Sequence, residues 1–143
     1  MRARDGPANL VRSEPMGIDA YGWVEVYDAE DDTWDGVILA TQLMERDVHI
    51  FCELFGMGTH SPTDKEPLAA HRGFPENASL QATEEKGLSG QWRSRTWVSW
   101  QELAAWGAAE REFGSRWHVL FALMATLART YDDDAVRLVV SFD

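Results

Sequence analysis

From Ile18 to Tyr27 the side chains alternate strictly. Ile18, Ala20, Gly22, Val24 and Val26 are apolar or small, and Asp19, Tyr21, Trp23, Glu25 and Tyr27 are aromatic or acidic. Successive residues of a strand point to opposite faces, so this run predicts a strand with one face committed to a core. Its other face is aromatic and acidic. Asp28 to Asp32 reads as a turn and Thr33 to Ala40 as the returning strand of a hairpin. The same alternation recurs at the far end of the chain, where Val136, Leu138, Val140 and Phe142 interleave with Arg137, Val139 and Ser141.

Between these strands the period changes to that of a helix. Asp47 is placed to cap a helix over Val48 to Phe55, with Phe51 and Phe55 on one face and Gly56 as its stop. A short helix is predicted from Ser79 to Glu85. Ser99-Trp100-Gln101-Glu102 is a capping box, opening a helix expected to run from Trp100 to about Phe113. Trp117, Leu120, Phe121, Met124, Leu127, Ala128 and Tyr131 recur at three- and four-residue steps, the strongest helical period in the chain. Val119 and Leu123 widen that stripe, which predicts burial on more than one side, and His118 is expected inside as a satisfied core histidine. The fold class expected is α+β. It has an antiparallel or mixed sheet of three or more strands, its N- and C-terminal strands central, covered by two long helices of the C-terminal half. Residues 1–15 lack apolar periodicity and are expected to be a disordered tail, with 16–143 forming a single domain.

Composition limits the function. The net charge of −11 disfavours direct contact with nucleic acid or an anionic membrane, because phosphate attraction needs clustered Lys and Arg. It suits a protein whose partner is basic, or one kept soluble by charge. A lone cysteine, Cys52, excludes an internal disulfide, and its apolar setting predicts a buried, inert thiol. No apolar run approaches the ~20 residues of a membrane span, and no secretory leader follows Arg2 and Arg4, so a cytoplasmic setting is expected.

Several short stretches form an ordered set. They are Met16-Gly17-Ile18-Asp19, Trp34, Arg46-Asp47-Val48-His49-Ile50-Phe51, His71-Arg72-Gly73-Phe74-Pro75, Thr96-Trp97-Val98-Ser99 with Glu102-Leu103, and Val136-Arg137-Leu138-Val139. The set resembles a small family of uncharacterised bacteriophage and bacterial proteins. That family has a Met-Gly-Cys-Asp-Ile-His-type start and a Pro-Arg-Gly-Leu-Pro-type loop. The resemblance implies a fold unit and a site, and no activity. The family's Asp-Ile-His is Asp19-Ala20-Tyr21 here, so an Asp/His pair on the first strand is missing.

The candidate chemistry is sparse. His49, His60, His71 and His118 lack metal-ligand spacing, no nucleophile elbow is present, and Gly56-Met57-Gly58 lacks the Lys of a phosphate loop. No metal and no cofactor is expected. The loop from Gly56 to Ala78 is long for a spacer and carries His60, His71, Arg72 and Phe74. Arginine beside tryptophan suits recognition of planar or anionic groups, although arginines in an acidic protein also find ready carboxylate partners. The residues expected to bind a ligand or partner are Asp19, Tyr21, Arg46, Arg72, Phe74, Arg95 and Trp97. Two functions are compatible with them. One is a non-catalytic binding or inhibitor-type accessory protein acting on a basic protein partner or a small anionic ligand. The other is a small hydrolase of a phosphate- or carboxylate-bearing molecule, with Asp19 or His71 as acid or base and an arginine-lined pocket. Alternatively, the aromatic strand face forms only a second small core.

Overall fold

The computed structural model describes residues 19–57, 66–85 and 94–142. The expected tail, the Met16-Gly17-Ile18 start, His60, Trp92 and Arg93 lie outside the described residues. Four strands form one antiparallel sheet: β1 (Ala20–Asp28), β2 (Thr33–Leu39), β3 (Ser94–Ser99) and β4 (Val136–Phe142). Their order is β2-β1-β4-β3, so the first and last strands are central, as the alternating pattern implied. The class is α+β.

One sheet face carries the main core. Val24, Val26, Val98, Val136, Leu138, Val140 and Phe142 from the strands join Phe51, Leu54 and Phe55 of α1 (Val48–Phe55). Trp100 and Leu103 of α3 (Trp100–Trp106) and Trp117, Leu120, Phe121 and Met124 of α4 (Ser115–Tyr131) complete it. Aromatic edges lock these layers, with Phe51 and Phe55 both against Phe142 at centroid distances of 5.3 and 5.2 Å. Asp47 caps α1 by accepting from the His49 and Ile50 N–H groups. The Ser99–Glu102 capping box is present at the start of α3.

Three expectations change here. Only α4 is long. Helix α3 stops at Trp106 because Gly107, at φ 104°, takes the left-handed conformation and returns its N–H to Leu103 and Ala104 carbonyls. Second, α4 is amphipathic on a narrower stripe than its composition suggested: Val119, Leu123 and His118 are exposed. His118 sits at the helix start, where its Nε2 accepts from the Phe113 N–H at 3.1 Å. Third, Cys52 is half-buried, since it flanks the buried Phe51 rather than sharing its face fully.

The second sheet face is covered too. Helix α2 (Leu80–Glu84), capped by Ser79, lies against it with the loop that precedes it. Ala82 and Val139 are buried there among Tyr21, Trp23, Phe74 and Trp97. This is why every residue of β4 is buried, on both faces. The close approach requires Gly36. A Cβ there would lie 2.8 Å from the Gln81 Cβ and 3.1 Å from the Ser79 Oγ. The β-bulge between Val24 and Glu25 sets Gly36 opposite Glu25, beneath α2. Gly36→Ala is therefore expected to cost about 1–3 kcal/mol by overpacking, read as a lower urea midpoint with an unchanged slope.

Candidate functional site

The second face is organised by a buried ion pair. Glu25 of β1 and Arg137 of β4 are direct cross-strand partners in the sheet register. Both project to the face away from the main core, with side chains 0% and 6% exposed. The Arg137 Nε donates to Glu25 Oε1 at 2.6 Å, and the Ser79 N–H donates to Oε2 at 2.6 Å. The Arg137 Nη2 donates to the Asn77 side-chain oxygen at 3.2 Å. Both carboxylate oxygens are thus used, and the loop before α2 is tied to the sheet by the same charges. Burial pushes the Arg137 guanidinium below its ordinary range, and the Glu25 carboxylate opposes that shift.

Aromatic rings and guanidinium groups alternate outward from this pair. Arg137 lies 3.8 Å from the Trp34 ring centroid and 5.9 Å from that of Trp97. Arg72 covers Trp97 at 4.7 Å, and Arg95 covers Phe74 at 5.2 Å. Arg72 is held by a second carboxylate. Its Nη1 and Nη2 donate to Glu102 Oε1 and Oε2 at 2.8 and 2.6 Å, a bidentate pair. The same nitrogens reach the Trp97 and Leu68 carbonyls at 3.1 and 3.2 Å. Glu102 also accepts from the Ser99 N–H in the capping box, so one carboxylate serves the helix start and the loop. Arg72 holds the Glu102 carboxyl down at about 2, and Glu102 in turn raises the Arg72 guanidinium.

The loop itself docks on the outer edge of β3. The Gly73 N–H donates to the Arg95 carbonyl at 2.9 Å and the Arg72 N–H to the Thr96 Oγ1 at 3.2 Å. His71, at φ 55°, turns the chain so that these two amides face the strand. Between the loop and the sheet lies a cleft of about 570 Å³ lined by Arg72, Phe74, Pro75, Glu76, Asn77, Trp97 and Arg137.

The residues singled out in the sequence divide into three places. Arg72, Phe74 and Trp97 share that cleft. Asp19, Tyr21 and Arg46 line a different crevice of about 350 Å³, where Arg46 donates to Asp19 at 2.7 Å. Arg95 joins His71 in a third, between α1 and the ends of β3 and β4. Sequence reasoning missed Arg137, Trp34 and Asn77 as parts of the site. A signal for the first existed. Glu25 and Arg137 are the charged residues on the non-core positions of two strands already expected to be central, and such residues meet when the strands pair.

Among the described residues, no three His, Cys, Asp or Glu side chains come together to hold a metal ion. No helix among them is long and apolar enough to cross a membrane. A scan against protein-family models, a search of curated proteins and a search of solved structures each find no match to this chain.

Two outcomes follow from the ion pairs. Glu25→Ala strands a buried guanidinium and is expected to cost about 3–5 kcal/mol, whereas the double change Glu25→Leu with Arg137→Met restores most of the loss in urea unfolding. The Glu102 carboxyl has a folded value of about 2 against an ordinary 4.5, so its contribution is complete above the ordinary value. Stability should fall as pH drops from 4.5 toward 2, and Glu102→Gln should flatten that fall in a pH series of melting temperatures.

Proposed function

We propose that this is a non-catalytic binding or inhibitor-type accessory protein that engages a basic protein partner through one acidic end of its sheet. The observation that carries this reading is the meeting of two acidic turns. The β1–β2 hairpin bears Asp28, Glu30, Asp31, Asp32 and Asp35, and the turn between α4 and β4 bears Asp132, Asp133 and Asp134. Val26 pairs with Val136, so the two turns emerge side by side from neighbouring strands. All of these carboxylates except that of half-buried Asp28 belong to exposed residues. No Lys or Arg lies within 28–35 or 130–136. The hairpin tip is ordered, because the Tyr27 hydroxyl donates to Asp32 and the Glu30 N–H donates to Asp28 at 2.9 Å. Asp32, beside it, raises the Tyr27 hydroxyl above its ordinary range. A field of one sign on a defined surface steers a basic partner and repels nucleic acid.

The same geometry weighs against a small free anion as ligand. Arg46, Arg72, Arg111 and Arg137 each already face a carboxylate, from Asp19, Glu102, Glu53 and Glu25. An incoming anion would have to compete with those partners. The hydrolase alternative needs Asp19 or His71 to act together with Arg46, Arg72 and Arg95, and these five line three separate crevices.

The reading is tested with octa-arginine as a model basic segment. Binding should be measurable by calorimetry at low salt and weaken steadily as salt is raised. Asp31→Lys combined with Asp133→Lys should weaken it by about tenfold or more without lowering the melting temperature. Absence of binding, or affinity indifferent to salt, would count decisively against a basic partner.

A further inference from the structure

We propose that the cleft beside the acidic end receives a proline of the basic partner, so that the recognised segment is extended, proline-containing and basic. This rests on the basic-partner reading and specifies what accompanies the charge. The cleft and the acidic end are continuous. Arg137, which lines the cleft, follows directly on the turn that carries Asp133 and Asp134. Trp34, stacked on Arg137, lies between Asp32 and Asp35 in the hairpin.

The charge balance selects the kind of occupant. Arg72 and Arg137 in the lining and Arg95 over Phe74 contribute three positive charges, and Glu102, Glu25 and the lining residue Glu76 bring three negative charges close by. The neighbourhood is therefore balanced in charge, and the acidic end beside it makes the surroundings negative. A carboxylate or phosphate gains nothing by entering. A neutral acceptor does. Arg137 is 5% exposed, and its Nη1 donors have no acceptor among the described residues, while its Nε and Nη2 are engaged. Ser141 Oγ is the buried side-chain atom left without a partner among the described residues, so Arg137 Nη1 is open to the cleft, where a peptide carbonyl would accept from it without adding charge.

The walls supply the other half. Phe74, Pro75 and the half-exposed Trp97 present flat apolar surface, and Arg72 stiffens Trp97 by stacking on it. Proline rings dock between such planar groups. A polyproline II segment also exposes its carbonyls and has little backbone freedom left to lose. Its Lys or Arg residues would then lie over the acidic turns.

The experiment compares two peptides of equal charge, five Arg-Pro repeats and five Arg-Gly repeats, titrated into the full chain at fixed salt. Affinity is followed by calorimetry and the indole N–H of Trp97 by NMR. The Arg-Pro peptide is expected to bind roughly tenfold more tightly, since its backbone is already ordered, and to shift the Trp97 signal. Phe74→Ala should remove that advantage and leave Arg-Gly binding unchanged. If Phe74→Ala does not fold, the Trp97 shift in the unmodified chain decides alone. Equal affinities with no Trp97 shift would overturn the cleft proposal and leave the basic-partner reading standing. A Trp97 shift produced by inorganic phosphate would also overturn it, in favour of an anion site. If neither peptide binds, the basic-partner reading fails and the cleft proposal falls with it.

Discussion

The Glu25–Arg137 pair is the interaction on which the second layer of this protein depends. It joins the two central strands at directly opposed positions, on the face turned away from the main core. Two charges taken out of water are stabilising only when their hydrogen-bonding capacity is met from all sides. Here the Ser79 amide and the Asn77 side chain supply the remaining bonds, and both belong to the segment that must cover the pair. Coverage and satisfaction therefore come together. The loop is held where it is because the charges need it, and the charges are tolerated because the loop is there.

That coupling accounts for the shape of the site. Apolar burial on this face is small, centred on Ala82 and Val139, and does not by itself specify where the loop should sit. Directional contacts do so. Arg72 reaches from the loop to the capping-box glutamate of α3, and the loop amides bind the edge of β3. The guanidinium groups then stack on Trp34 and Trp97, rings that stay half-exposed. A cleft remains between the loop and the sheet, next to an end of the sheet where acidic residues concentrate. Of the arginines that suggested anion recognition in the sequence, Arg46 and Arg72 are matched to carboxylates and Arg95 covers Phe74.

Much of the fold was legible because it rests on local rules. Alternation marked β1 and β4, and their apolar faces lie in the main core. Asp47 and Ser99 cap helices where their carboxylate or hydroxyl spacing said they should, and Ser79, expected to begin a helix, caps it instead. The departures have local causes of a subtler kind. Gly107 ended α3 a turn or more early, and Val119 and Leu123, helical in spacing, fell outside the face that meets the sheet. Of the candidate residues, Arg72, Phe74 and Trp97 line one cleft, while Asp19, Tyr21 and Arg46 line a separate crevice. Residue type identified them as suited to recognition, and type carries no information on which loop returns to which strand.

The sequence by itself determined an α+β chain with central first and last strands, an acidic surface and a capped helix after Trp97. Those follow from periodicity, charge count and short-range hydrogen bonds, which need no knowledge of distant residues. The tertiary structure decided that Glu25 meets Arg137, that residues 72–79 return across the sheet, and that two acidic turns share one end. Each of these joins positions far apart in the chain, Glu25 and Arg137 most of all. Strand order and register bring such residues together, and both are set by packing of the whole chain.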